Sequence, residues 1–276
     1  MFRSALVALK PGSSNDAASS LAIRMASERQ MTLFGVSVVD VPTIAPPESV
    51  PLGAGSFKVE RDQDLLARAR AAVKQTLETF SGRCQAAGVN FNCASREGIL
   101  SEEISSCAHG VDVLVLGHKA KQEFSSIPVA DSAIHQIVCR CPRPVIIAPA
   151  VPVTTRRILV AYDGSLQAAR ALQAFVESGL HIGSELHLLA VLDDNAIEAT
   201  VAPAVDFLRQ HEIAVEVHAH PRRQSVADDI LQMVGQLQVD LLVMGAYGKP
   251  TLIEFFLGSV TRHILDQTTI PVFLDH

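Results

Sequence analysis

Two kinds of apolar pattern alternate along this chain. Short runs with little polar interruption occupy residues 4–9, 33–39, 111–116, 145–147, 158–162, 185–192, 240–244 and 271–274, with weaker ones at 89–95 and 213–219. Runs this short, rich in Val, Ile and Leu and bounded by Gly or Pro, read as strands. Between them the apolar positions recur at helical spacing. Ala17, Leu21 and Met25 mark a helix within 13–29, and Leu65, Leu66, Ala69, Val73, Leu77 and Phe80 form one broad face of a helix over 59–87 that Gly88 terminates. Further helices are predicted at 99–109, within 127–139, and at 165–178, 196–211, 226–237 and 259–267. Strands that alternate with helices must pair in parallel, because a crossover helix returns the chain to the same end of the sheet.

The pattern runs twice. Asp112 to Gly117 (Asp-Val-Leu-Val-Leu-Gly) matches Asp240 to Gly245 (Asp-Leu-Leu-Val-Met-Gly), Pro144 to Ile147 matches Pro271 to Leu274, and Leu6 to Ala8 matches Leu159 to Ala161. The segment 149–155, with Pro149 and Pro152 and no helical period, is the expected boundary. The expectation is an α/β protein of two tandem, open, five-stranded parallel-sheet domains, 1–150 and 151–276. The runs at 112–116 and 240–244 are too continuously apolar to have a wet face and are central strands. Residues 40–58, crowded with Pro42, Pro46, Pro47, Pro51, Gly53 and Gly55, are expected as a long loop, either a surface covering, a disordered link or a functional lid.

Composition narrows the classes. A chain of 276 residues with 48% hydrophobic content suits two domains with sizeable cores. A net charge of −6, no Trp and two Tyr argue against nucleic acid as a partner, which calls for a basic surface and stacking platforms. No apolar run is long enough for a membrane span. The first residues lack the order of a signal peptide, so a cytoplasmic location without membrane attachment is expected. The five cysteines are expected as reduced, mostly buried thiols. The close pair Cys139 and Cys141 has the wrong spacing for structural zinc.

In an open parallel sheet, ligands bind beyond the carboxyl ends of the strands where the strand order reverses. Three segments of the second half end there, at Asp163-Gly164-Ser165, at Val191-Leu192 and at Met244-Gly245. An ionised Asp163 can accept hydrogen bonds from ribose hydroxyls or an adenine amine. Main-chain groups at Val191 can read a base edge. Gly245-Ala-Tyr-Gly248 is followed by nine residues and then Gly258-Ser259 at a helix start. Glycines admit an anion close to the backbone, and the first N–H groups of a helix lack internal partners. Gly245, Gly248, Gly258, Ser259, Val260 and Thr261 are therefore candidate phosphate donors.

On these residues the chain resembles tandem universal stress proteins, whose ATP-binding members carry the same Gly-x-x-Gly, nine residues, Gly-Ser/Thr arrangement. Val160-Ala161-Tyr162-Asp163-Gly164-Ser165 matches as well, and the resemblance runs through both halves. It implies a Rossmann-like, adenine-nucleotide alpha-hydrolase-like fold and an ATP site, with or without magnesium, in the second domain. Ala161, Tyr162, Asp163, Val191, Met244 and the loop residues would line it. Lys249 falls inside the loop, facing either phosphate or solvent. The resemblance further implies a stress-response role in which bound nucleotide is a switch read by a protein partner not identifiable from sequence. It implies an intramolecular pseudo-dimer through the last strands, 145–148 and 272–274, with homodimerisation left open. Two alternatives stand beside this reading: a slow adenine-nucleotide hydrolase using the same pocket, and a nucleotide-free interaction scaffold.

The first half departs from the pattern. Its counterpart reads Gly117-His-Lys-Ala120, nine residues, then Ala130-Asp131, and Lys10 stands where the second half has Asp163. Alanine resists positive φ, and an aspartate at a helix start repels phosphate. The first half is expected not to bind ATP in this manner. Ser259, His263 and Asp266 are catalytic-triad residue types, but they share one short helix, and no Gly-x-Ser-x-Gly elbow is present, so catalysis there is not expected. The loop is neither a P-loop nor a dinucleotide fingerprint. His218 and His220 share one side of a strand; without an evident third ligand they are expected as a surface or edge pair rather than a metal site.

Overall fold

The structure is a computed structural model that describes residues 1–11, 17–49, 51, 53–117, 129–149, 156–192, 197–246 and 258–276. The first half comprises β1 (Ser4–Ala8), α1 (Ala17–Arg29), β2 (Thr32–Asp40), α2 (Val41–Ile44), α3 (Gly55–Ala86), β3 (Phe91–Gly98), α4 (Leu100–Ala108), β4 (Val113–Gly117), α5 (Val129–Arg140) and β5 (Val145–Ala148). The second half comprises β6 (Arg157–Ala161), α6 (Leu166–Ser178), β7 (Glu185–Leu192), α7 (Ile197–Gln210), β8 (Glu216–Pro221), α8 (Val226–Gln236), β9 (Leu241–Gly245), α9 (Ser259–Gln267) and β10 (Val272–Asp275). The protein is α/β and its strands are mostly parallel.

The chain forms two compact units. One contains Arg3–Gly117 and Ile127–Arg143; the described residues of the other are Met1–Phe2 and those within Pro144–His276. The first carries β3-β2-β1-β4, all parallel. The second carries β5-β10-β9-β6-β7-β8, in which β10 to β8 are parallel and β5 runs antiparallel to β10, with Val272 opposite Ile147 and Leu274 opposite Val145. The last strands of the two sequence repeats thus pair as expected. Spatially, β5 joins the second unit rather than the one whose sequence repeat it completes.

Each first strand is registered by the same device. Asp112 Oδ2 accepts hydrogen bonds from Arg3 N at 2.7 Å, Ser4 N at 2.9 Å and Ser4 Oγ at 2.9 Å. Asp240 Oδ2 accepts from Arg156 N and Arg157 N, both at 3.0 Å. This is a physical reason for an aspartate just before both central strands: it binds the otherwise unpaired N–H groups where the neighbouring strand begins. Burial works to raise the Asp112 carboxyl, but the donors from Arg3 and Ser4 and the charge of Arg143 outweigh it and hold it below its ordinary value.

The central strands are dry on both faces. Val113 to Leu116 and Leu241 to Met244 are all buried. Phe175 of α6 is fully buried and meets Phe273 of β10 edge to face, with ring centroids 6.0 Å apart. In the first unit α3 lies so close to β2 that a side chain at Gly35 would reach within 2.7 Å of the Phe80 ring.

The long helix differs from expectation. It starts at Gly55 rather than near residue 59, and α2 occupies Val41–Ile44, which leaves a shorter loop whose described residues are 45–49, 51, 53 and 54. That loop is tied to the helix by Lys58 Nζ donating to Pro46 O at 3.1 Å and by the Arg61–Glu48 ion pair at 2.5 Å. The buried face is also narrower: Val73, Thr76, Phe80 and Cys84 are buried, whereas Leu65 is exposed and Leu66, Ala69 and Leu77 are half-buried. The reason is length. A 32-residue helix extends about 48 Å and a nine-residue strand about 30 Å, so its amino-terminal turns outrun the sheet. The strand expected at 213–219 is β8, three residues later at its start. Glu212 adopts φ 59° and Ile213 N bonds Leu208 O at 2.9 Å, so these residues close α7 instead of entering the sheet.

Candidate functional site

In the second unit β6 leads to β7 and β8 on one side, and β9 leads to β10 on the other. The strand order therefore reverses between β6 and β9, and the crevice sits beyond their carboxyl ends. Ala161 is in register with Met244 on β9 and with Leu189 on β7, two residues before Val191. The three strand ends singled out by sequence are thus adjacent. Val191 and Met244 are buried, Ala161 and Gly245 half-buried, and Asp163 is exposed at the rim.

The turn after β6 is built for a helix start. Asp163 Oδ1 accepts from Ser165 N at 3.0 Å, Gly164 adopts φ 77°, and Ser165 Oγ caps α6 by accepting from Ala168 N at 3.1 Å. A Cβ on Gly164 would lie 2.7 Å from Thr200 Cγ2, so this glycine meets both a backbone and a packing demand. Tyr162 is buried, with its N–H donating to Leu189 O at 2.9 Å. Burial, and then the neighbouring Asp163 charge, push its phenol above the ordinary value.

Gly245 is required from the opposite direction. A Cβ there would stand 2.6 Å from both Ala168 N and the Gln167 carbonyl carbon. Its absence lets α6 seat against the end of β9. α9 begins at Ser259 with Gly258 as its N-cap, and no side-chain bond caps it. The helix start therefore presents main-chain donors with no side-chain cap to occupy them. Ser259 is exposed, Val260 half-buried and Thr261 buried. Gly248 and Lys249 lie outside the described residues, as does the loop between Ala246 and Gly258.

The triad residue types do not converge. His263 Nε2 is 3.1 Å from Asp228 Oδ1 and joins α9 to α8. In the first half, Lys10 is exposed, Ala130 and Asp131 lie within the first turn of α5, and His118 to Ala120 fall outside the described residues.

Sequence reading also missed a histidine contact. His218 on β8 does not pair with His220 in a metal-like group; its Nε2 instead lies 3.1 Å from His187 Nδ1 on β7, with Glu216 alongside. No local spacing could show this, because the two histidines are 31 residues apart.

Comparison with known proteins agrees with this fold. The Universal stress protein family profile matches residues 154–276. A universal stress protein of Synechocystis sp. is 27% identical over 204 residues, covering 72% of this chain and 70% of its own length. Among solved structures, a universal stress protein of Archaeoglobus fulgidus superposes with a TM-score of 0.70 at 18% identity, covering 98% of this chain and 95% of that one. A candidate universal stress protein of Pseudomonas aeruginosa gives 0.61 at 16% identity over 99% and 92%. Residues 154–276 thus match the universal stress protein family, and over nearly the full length the fold is similar to that of the Archaeoglobus fulgidus protein. Among the described residues no helix is long and apolar enough to cross a membrane.

Proposed function

We propose that the protein binds one adenine nucleotide, ATP, in the repeat 151–276 and acts as a nucleotide-responsive regulatory protein in the cytoplasm, while the repeat 1–150 does not bind ATP in the same way. The observation that carries this reading is the glycine-capped start of α9, which shares a sheet end with the exposed carboxylate of Asp163 and the floor residues Val191 and Met244. A free helix start suits phosphate, the carboxylate suits sugar or amine hydrogens, and the apolar floor suits a base.

Asp163 is the one carboxylate among the candidate site residues, and Ser165 N already occupies one of its oxygens. A magnesium ion would therefore be held chiefly by phosphates and water. Bound nucleotide would favour one arrangement of the loop and of α9, which a protein partner could read.

The test is mass analysis of small molecules released from the purified, denatured protein, followed by titration with a fluorescent ATP analogue. One adenine nucleotide per chain is expected, with affinity at least about tenfold weaker in Asp163→Ala, the loss of one charge-assisted contact. Absence of released nucleotide together with no saturable binding refutes the reading and favours the scaffold alternative.

A further inference from the structure

His187, Glu216 and His218 place one ligand atom each within 4.8 Å of one another on the β7–β8 ribbon. The strand register puts them on one sheet face, with His187 opposite Glu216 and Leu189 opposite His218. The site lies four residues before Val191 along β7, about 13 Å at strand rise, and shares no residue with the nucleotide crevice.

The separations suit a small divalent ion. His187 Nδ1 is 3.1 Å from His218 Nε2 and 3.6 Å from Glu216 Oε2, and His218 Nε2 is 3.7 Å from Glu216 Oε1. Ligand atoms bonded to zinc at about 2.0–2.1 Å stand roughly 3.3 Å apart at the tetrahedral angle. Both oxygens of Glu216 are turned toward the pair, so small side-chain adjustments close the set.

A second observation concerns the outer ring nitrogen. His187 Nε2 lies 3.4 Å from Glu185 Oε1, and Arg157 Nε lies 3.3 Å from the other oxygen, Glu185 Oε2. Arg157 holds Glu185 in place behind the ring, and a carboxylate there favours the tautomer with the proton on Nε2. The Nδ1 lone pair then faces Glu216 and His218. A carboxylate behind a histidine is how metal sites orient that ligand and raise its basicity. The His187 side chain is 3% exposed, so burial also fixes this orientation.

We propose that His187, His218 and Glu216 form a binding site for a divalent transition metal of the zinc type, supported by Glu185, with a fourth position left to water. Two imidazoles among three ligands disfavour calcium and magnesium, which take oxygen donors. In the metal-free protein His218 Nε2 and His187 Nδ1 share one hydrogen bond. Binding requires both of these nitrogens to offer a lone pair, so the shared proton must move to another ring nitrogen. The ion would cross-link β7 to β8, the strand at the end of this unit's sheet order.

The test uses the full chain stripped by a chelator, titrated with zinc against a chromophoric competitor and with cobalt(II) by visible absorption. One zinc per chain is expected, with a cobalt spectrum of low-coordinate nitrogen and oxygen ligation. His218→Gln and Glu216→Gln, both at accessible positions, should each weaken zinc at least about tenfold. Glu185→Gln should weaken it about 10–100-fold through ligand orientation alone. His220→Gln should leave it unchanged. Native circular dichroism of each variant shows that the fold is retained. Zinc binding equal in wild type, His218→Gln and Glu216→Gln overturns the proposal, as does a stripped wild type that takes up no zinc.

Discussion

Gly245→Ala tests the seating of α6 on the end of β9, on which the crevice depends. The added methyl would lie 2.6 Å from Ala168 N and from the Gln167 carbonyl carbon, and 2.9 Å from Gln167 Cβ. Unstrained carbon contacts are about 3.5–4.0 Å, so roughly 1 Å of movement is demanded. Two of the three opposing atoms are backbone, and no rotamer change can yield that space. Overpacking of this kind costs about 1–3 kcal/mol. The same intrusion displaces Ala168 N from Ser165 Oγ, its cap partner at 3.1 Å, for about another 1 kcal/mol. The total is about 2–4 kcal/mol, a fall in melting temperature of about 4–16 °C. Scanning calorimetry of the full chain reads this directly. Gly82→Ala is the matched control: it lies in α3 with nothing within 4 Å of the new Cβ, and should stabilise by about 0.4–1 kcal/mol. If Gly245→Ala melts within about 1 °C of wild type, α6 does not sit against β9 as described and the crevice geometry is wrong. Because the displaced turn carries Asp163, nucleotide affinity should fall along with stability.

Three further outcomes are expected. Phe175→Ala removes a fully buried ring that meets Phe273 and should cost about 3–5 kcal/mol in denaturant unfolding; a loss below about 1 kcal/mol would contradict its place in the core. Asp112 has its folded pKa lowered, so its contribution is fully present above the ordinary aspartate value near 3.9 and is lost as pH falls through the folded value. The stability gap between wild type and Asp112→Asn should accordingly be widest at neutral pH and narrow below about pH 4; a gap that widens in acid would reverse the sign. Burial, then the neighbouring Cys93, push the Cys84 thiol up to about 11, whereas Cys93 is itself exposed. Iodoacetamide at pH 8 should label Cys93 and spare Cys84 in the native protein, read by peptide mass analysis, and rapid labelling of Cys84 would show that this face of α3 is not packed against the sheet.

Much of the fold was legible because it is local. An unbroken apolar run between turn residues leaves few choices for 241–244, and the crossover rule then orders the strands around it. The candidate crevice was legible for the same reason. Its residues sit at strand ends and a helix start, positions that hydrophobic period and glycine spacing mark directly. The repeated aspartate at 112 and 240 was visible as a pattern, but its task of binding the start of β1 and β6 was not, since its partners are more than 80 residues away.

What the sequence by itself determined is the α/β class, the two repeats, the central strands and the asymmetry between Gly258-Ser259 and Ala130-Asp131. These follow from side-chain size, polarity and backbone freedom at neighbouring positions. Tertiary structure decided the rest. It set how much of α3 is covered, because that depends on the length of the strands beneath it. It gave β5 to the second unit, because its antiparallel pairing with β10 is made across the fold and not along the chain. It brought His187 to His218 and Glu216, because strand register, not chain spacing, determines which side chains share a face.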